Sequence, residues 1–407
     1  MQKTRGNRAF HNFVFRLHTW VGLHVCIALG LIFLSGTLLM FSPELTNIRQ
    51  PSLWISPSSN AVSVGHLYDS TNASFPERSI DSIGSQPRPW LGRPVYFSGK
   101  GGSTIVHLSP ETGEVLGQQV RRKLSLRNLI RKLHDSMLVP LQPAQVLVNA
   151  LSFVVLALVI TGLLTYRRFW TGFFLKVPKD ANRLKRESSS HRRLAVWAAP
   201  FLIASALASS VFFLNSIGIK AKSGSAPAVV NSRPTGLPAE FDGNDVDAII
   251  SACNSEIPGL IERGIKFPKS GEEFVRVNGY ESDAGEIFGA VTCYADPSSH
   301  EVTGLVRASD GNWMNQVKAL AVAVHYGTFA GWLSIILWTL LGLVSTCVAI
   351  SGAKVYAARA IVKSGGSKTS LAGRSTVSLL VQGLGYFKWL YVAWVLLVIA
   401  LLLRDLF

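Results

Sequence analysis

Five of the nine histidines, His18, His24, His134, His191 and His325, lie in or beside long apolar stretches. An ionisable side chain in such a stretch is costly and usually functional. The chemistry open to imidazoles there is iron ligation: ring nitrogens from two facing helices can hold a haem iron while the porphyrin fills the apolar gap between them. No Cys-x-x-Cys-His occurs, so covalent c-type attachment is excluded and any haem is of the b type. His-Glu-x-x-His is absent and the four cysteines are scattered, which removes the common zinc patterns. No Gly-x-Gly-x-x-Gly follows a strand and no Gly-x-x-x-x-Gly-Lys-Ser/Thr occurs, so no nucleotide or flavin site is evident. Electrons would have to come from a quinol or a separate cytoplasmic donor. No side chain stands out as a catalytic acid or base; the chemistry would belong to the cofactor.

By depth, His18 and His191 form an inner pair and His134 and His325 an outer pair, two b-type haems' worth of ligands. His24 is an alternative inner ligand: six residues beyond His18, it lies about 9 Å deeper and roughly 120° round the helix. Cations for haem propionates flank both pairs. Arg16 and Arg192 stand beside the inner pair, and Arg127 and Arg131, in the basic run Arg121 to Lys132, lead into His134. Leu126, Leu129, Ile130 and Leu133 give that run a helical apolar stripe, so it equally suits anionic headgroups of membrane lipids at the outer interface.

The elements that must position these residues are membrane spans. Apolar residues make up 48 % of the 407-residue chain and charged ones 16 %, yet the formal charge is +16. That balance excludes a disordered chain, a coiled coil or a small disulfide scaffold, and argues against a nucleic-acid partner. Five stretches are long enough to cross a bilayer core of about 30 Å. The expected order is a cytoplasmic tail over 1–16, spans over 17–41 and 138–166 separated by an outside segment over 42–137, and a basic cytoplasmic loop over 167–193. A span over 194–217, an outside segment over 218–318, a span over 319–352, a cytoplasmic loop over 353–376 and a last span over 377–407 follow. The segments placed inside hold 18 Lys and Arg against two acids, whereas the two outside segments hold 20 basic and 21 acidic residues. The positive-inside rule then puts the N-terminus in the cytoplasm. Cys253 and Cys293 share the second outside segment, where a disulfide is one of two open readings.

The layout repeats. Arg16-Leu-His-Thr-Trp-Val-Gly22 opens the first span and His191-Arg-Arg-Leu-Ala-Val-Trp197 the third, while Leu133-His134 and Val324-His325 stand near the outer ends of the second and fourth. Ser35-Gly36-Thr37, Thr161-Gly162 and Ser351-Gly352 close three of the four. The expected fold is an α-helical integral membrane protein, a duplicated helix-pair bundle plus a fifth span, with two small α+β extramembrane segments. The Leu-His-x-x-x-Gly-Leu opening, the Thr-Gly and Ser-Gly span ends and the Ser109-Pro-Glu-Thr-Gly-Glu-Val115 turn resemble the PepSY-associated transmembrane helix family, and Val246 through Pro268 resembles the PepSY domain itself. The resemblance covers about residues 10–355; a third span without a terminal Thr-Gly and a fifth span outside the repeat depart from it. The family includes bacterial inner-membrane proteins of iron uptake, among them a di-haem ferric-siderophore reductase. What the resemblance implies is an oxidoreductase of the inner membrane whose acceptor is a periplasmic ferric siderophore. Two other readings stay open: a non-enzymatic PepSY anchor that binds peptides or a partner protein, and a quinone-linked haem reductase with another acceptor.

Overall fold

The computed structural model describes residues 2–98, 104–120, 125–166, 170, 183–227, 236–269, 271–363 and 376–404. The Gly-rich turns at Gly99–Gly102 and Gly365–Lys368, the head of the basic run at Arg121–Leu124, and most of the loop from Arg167 to Asn182 lie outside them. The chain divides into a helical unit, built from residues 1–41, 127–218 and 321–407, and a sheet unit, built from 42–126 and 219–320.

Among the described residues, four helices of the first unit are long and apolar enough to cross a membrane: Arg8–Leu39, Gln142–Thr165, Leu184–Ser216 and Gly331–Arg359. The molecule is a multi-pass membrane protein. The helices overrun the apolar stretches, because a helix does not end where hydropathy does; the first begins at Gln2 and the third at Arg183. The stretch expected as one span over 319–352 is broken instead. A helix Trp313–Tyr326 ends at Gly327 (φ +65°), and a second helix starts at Gly331 (φ +57°) and runs to Lys363. Left-handed glycines end helices at little steric cost, and the turn between them is apolar enough to be invisible to a hydropathy window. The fifth stretch is also divided. Helix Thr376–Gly383 is followed by a turn at Gly385 (φ +54°) and by a 17-residue helix, Lys388–Arg404.

In the second unit each of the two expected α+β segments supplies a helix and four strands, and the strands join in one sheet. Strands β1 (Ile80–Gly84), β2 (Arg93–Phe97), β3 (Thr104–Leu108) and β4 (Val115–Val120) come from the first segment. The second supplies β5 (Leu260–Lys266), β6 (Val275–Glu281), β7 (Ala290–Ala295) and β8 (Val302–Arg307). All eight form one antiparallel sheet in the order β4-β3-β2-β1-β5-β6-β7-β8. Each half alone would leave its first strand as an open edge, a ready template for pairing; joining β1 to β5, with Ile83 opposite Ile265, closes both edges at once. One helix from each half, Val64–Ser74 and Gly243–Glu256, covers the same face. The Gly65 N–H donates to Asp247 (2.9 Å) and the Gly243 N–H donates to Asp69 (2.7 Å). The two Gly-x-x-x-Asp sequences thus hold one another reciprocally, about a local two-fold axis at the sheet centre. Ile83, Val95, Val106, Ile265 and Val277 are buried beneath them. Cys253 on the second helix and Cys293 on β7 are joined in a disulfide, whereas Cys26 and Cys347 are free.

Candidate functional site

Each of the four paired histidines is held by a small hydroxyl residue of a neighbouring span. His18 Nδ1 lies 3.0 Å from Thr161 Oγ1, and His191 Nδ1 lies 3.0 Å from Ser351 Oγ and 3.1 Å from the Val348 carbonyl. His134 Nδ1 lies 3.0 Å from the Ile32 carbonyl and 3.5 Å from Ser35 Oγ, and His325 Nδ1 lies 3.3 Å from Ser209 Oγ. Thr161, Ser351, Ser35 and Ser209 each have a carbonyl of their own helix within reach of their hydroxyl proton, which leaves the oxygen able to accept from the ring. Where the ring faces a carbonyl, at His134 and His191, Nδ1 carries the proton and Nε2 keeps its lone pair, and the hydroxyls beside His18 and His325 can accept in the same way. Among the described residues none of the four Nε2 atoms takes a hydrogen bond. That arrangement is the one in which an outer partner orients a metal-binding imidazole.

Glycines make room for three of the rings. A Cβ on Gly36 would stand 2.7 Å from His134 Cε1, one on Gly162 3.3 Å from His18 Cε1, and one on Gly352 3.1 Å from His191 Cε1. The Ser-Gly and Thr-Gly pairs read as span ends are thus receptor notches for histidines of other spans. In the third span Ser209-Ser210 stands where the pattern lacks its glycine.

The structure brings His134 and His325 together, with ring centroids 5.9 Å apart at 48°. Two imidazoles bound to opposite faces of one metal, at about 2.0–2.1 Å per bond, place their ring centres roughly 6 Å apart. Both rings sit in the last turn of a helix whose C-terminal end is pinned by an indole. Trp338 Nε1 donates to the Val324 carbonyl, and Trp394 Nε1 donates to the Met137 carbonyl, each at 2.7 Å. Met137 (φ +52°) and Leu138 (φ +64°) are consecutive left-handed residues, a conformation costing about 1–3 kcal/mol per residue and kept only where neighbours hold it. His18 and His191 are within electrostatic reach of each other and of Arg359. No group of three or more His, Cys, Asp or Glu side chains suited to a metal ion occurs among the described residues. Two imidazoles per site are too few to hold a bare ion but suffice for an iron whose in-plane donors come with a porphyrin, and the residues present fit that group.

The remaining candidates scatter. His24 Nδ1 donates to the Trp20 carbonyl of its own helix, and its ring packs against Trp20 and Phe387 at 4.6 and 4.3 Å, away from both pairs. Arg16 is exposed on the first span. Arg131 pairs with Asp135 at 3.1 Å, and Arg127 is half-buried on the same helix. The Arg192 guanidinium stacks 5.3 Å from the Tyr166 ring centre. Arg359, which charge counting assigns to a loop, reaches over the Phe15 ring at 4.7 Å; its signal in the sequence is its spacing, two helical turns beyond Ser351-Gly352. Outside the spans, burial pushes the His107 imidazole in β3 below its usual range, so it is neutral at pH 7 and belongs to the sheet interior.

No curated protein matches the chain. The family model of the PepSY-associated TM region matches residues 15–359, a stretch that takes in all four paired histidines and both halves of the sheet. Its span covers the whole duplicated unit and stops before the divided fifth stretch, and on that match the chain belongs to the PepSY-associated TM region family.

Proposed function

We propose that the protein is a b-type di-haem oxidoreductase of the bacterial inner membrane that carries electrons from the cytoplasmic side to a ferric siderophore outside. The observation that carries this reading is the His134–His325 pair, 5.9 Å between centroids with both Nδ1 atoms beside hydroxyls or carbonyls that can accept. His134 and His325 would hold the outer haem, and His18 and His191 the inner one. When bound, the haem irons supply reversible one-electron chemistry. The protein's own part is to present four neutral imidazoles, to bind propionates through arginines, and to keep water from the bundle interior.

Reduction serves release because the hard oxygen donors of a siderophore suit Fe(III) far better than the softer Fe(II). One electron entering from a quinol or a cytoplasmic donor leaves to one Fe(III), so the protein ends each cycle unchanged. The visible spectrum of the purified full-length protein tests the reading. A Soret band that shifts on dithionite reduction, and reoxidation of that reduced form by a ferric siderophore, are the expected results. A colourless preparation would reject the haem and return the chain to a non-enzymatic partner-binding role. Haem that no ferric chelate reoxidises would leave a quinone-linked reductase of another acceptor. His134→Ala and His325→Ala should each remove about half the haem, and an unchanged haem content would overturn the pairing.

A further inference from the structure

Beside the inner histidine pair, where the sequence already places Arg192, the structure adds Arg359. Arg359 lies two turns beyond Ser351 and Gly352, the notch that receives His191, and so on the same face of its helix. Its guanidinium stacks over Phe15, which is one turn before His18 on the first span. The side chain therefore sits between the first and fourth spans, just cytoplasmic of both inner ligands, and its charge acts on both. Arg192, next to His191, stacks on Tyr166 one turn beyond Thr161-Gly162, the notch that receives His18, and its charge acts on Arg359.

The two arginines thus stand beside the spans that hold the inner pair, Arg359 half-buried over Phe15 and Arg192 exposed over Tyr166 with hydrogen bonds to the Ser188 carbonyl and Ser189 Oγ, and neither has a carboxylate partner among the described residues. Like charges brought together and partly desolvated repel. An anionic group between them turns that cost into two charge-assisted hydrogen-bonding sites, and guanidinium groups are matched to carboxylates.

We infer that Arg359, together with Arg192, forms a dicarboxylate clamp that takes the two propionates of the inner haem and sets its potential. This rests on the di-haem reading above. Arg359 is a positioning and tuning residue here: the positive charge beside the iron disfavours Fe(III) and so holds the inner potential up, which favours electron entry from the donor.

The test is a spectroscopic redox titration of the full-length protein, with the inner component identified as the one lost in His191→Ala. In Arg359→Gln the inner component should shift at least tenfold toward the oxidised form, about 59 mV downward for one electron, while the outer component stays in place. Arg359→Lys keeps the charge but loses the bidentate fork, so it should retain most of the potential and lose part of the inner haem. If Arg359→Gln does not load the inner site at all, Arg359→Lys alone decides, and an inner potential and haem content equal to wild type in it would overturn the inference. Unmoved components in Arg359→Gln, or a shift confined to the outer component, would likewise overturn it. A wild-type protein that binds no haem would overturn the di-haem reading and the clamp with it, whereas haem-loaded wild type with unmoved variants removes the clamp alone.

Discussion

At the residue scale, the ligand geometry rests on four hydroxyls that face their own helices. With its own proton within reach of a carbonyl behind it, each hydroxyl can accept from the imidazole it meets, and at His134 and His191 a backbone carbonyl sets the tautomer without any carboxylate. For His18 the hydroxyl of Thr161 lies 3.0 Å from Nδ1, beside a backbone acceptor at Leu158. Replacing Thr161 by Val keeps the shape and removes the hydroxyl acceptor, and inner-haem affinity should fall about 10- to 100-fold, the usual cost of losing an outer-shell partner. Haem per protein after dilution and gel filtration reads this directly. The glycine notches give a graded pair. An added methyl at Gly36 would overlap the His134 ring at 2.7 Å, and that ring is pinned at Nδ1, whereas at Gly162 the nearest ring atom is 3.3 Å away and can yield by a few tenths of an ångström. Gly36→Ala should strip most of the outer haem while Gly162→Ala keeps most of the inner. The reverse order would mean that the notches do not seat the rings.

At the scale of elements, spans serve as rulers. His18 and Ser35 are 17 residues apart on one helix, and His191 and Ser209 are 18 apart on another, so each helix separates the levels of the two sites by about 26 Å. Phe201 stands midway along the third span and packs edge-on against Trp338, which closes on the carbonyl next to His325. Trp338→Phe keeps the ring contacts with Phe201 and Phe329 but leaves the Val324 carbonyl with the Gly327 N–H at 3.3 Å in place of the indole, a loss of about 0.5–1.5 kcal/mol. The outer haem should become easier to extract while the inner one does not; equal loss from both would place the effect in the bundle as a whole. These relations mark what the sequence could show. Histidine depth and the Ser-Gly and Thr-Gly pairs are readable, because both follow from helical rise along one segment. Which notch receives which histidine is not, since His134 reaches Ser35 across 99 residues and His191 reaches Ser351 across 160. The same limit hid the joined sheet. Alternating strands in two segments identify two half-sheets, but the β1–β5 pairing depends on edges nearly 180 residues apart, and the Gly327–Gly331 break lies within unbroken hydropathy.

At the scale of the whole molecule, the proposed electron path requires a fixed orientation, and the divided fifth stretch tests it. The short helix Lys388–Arg404 spans about 26 Å, less than a bilayer core of about 30 Å, so length alone does not make it a span. Its contacts do give it a direction. Phe387, just before it, packs on His24 in the inner half of the first span, and the Tyr391 hydroxyl donates to the His24 carbonyl. Trp394 then donates to the Met137 carbonyl, three residues past the outer ligand His134. The helix therefore climbs from the level of His24 to that of the outer pair, with Thr376–Gly383 completing the inner part of the crossing. On the five-span reading the two pieces together carry the chain across, although neither is long enough alone. With 18 of the basic residues on the cytoplasmic segments and the outside segments nearly neutral, the N-terminus should be inside and the C-terminus outside. Alkaline phosphatase fused after Phe407 should be active and a fluorescent protein fused there dark, whereas fusions in the loop around Asn182 should show the opposite. A fluorescent C-terminal fusion would mean that the last helix turns back within the membrane, and the molecule would then have four crossings with both ends in the cytoplasm.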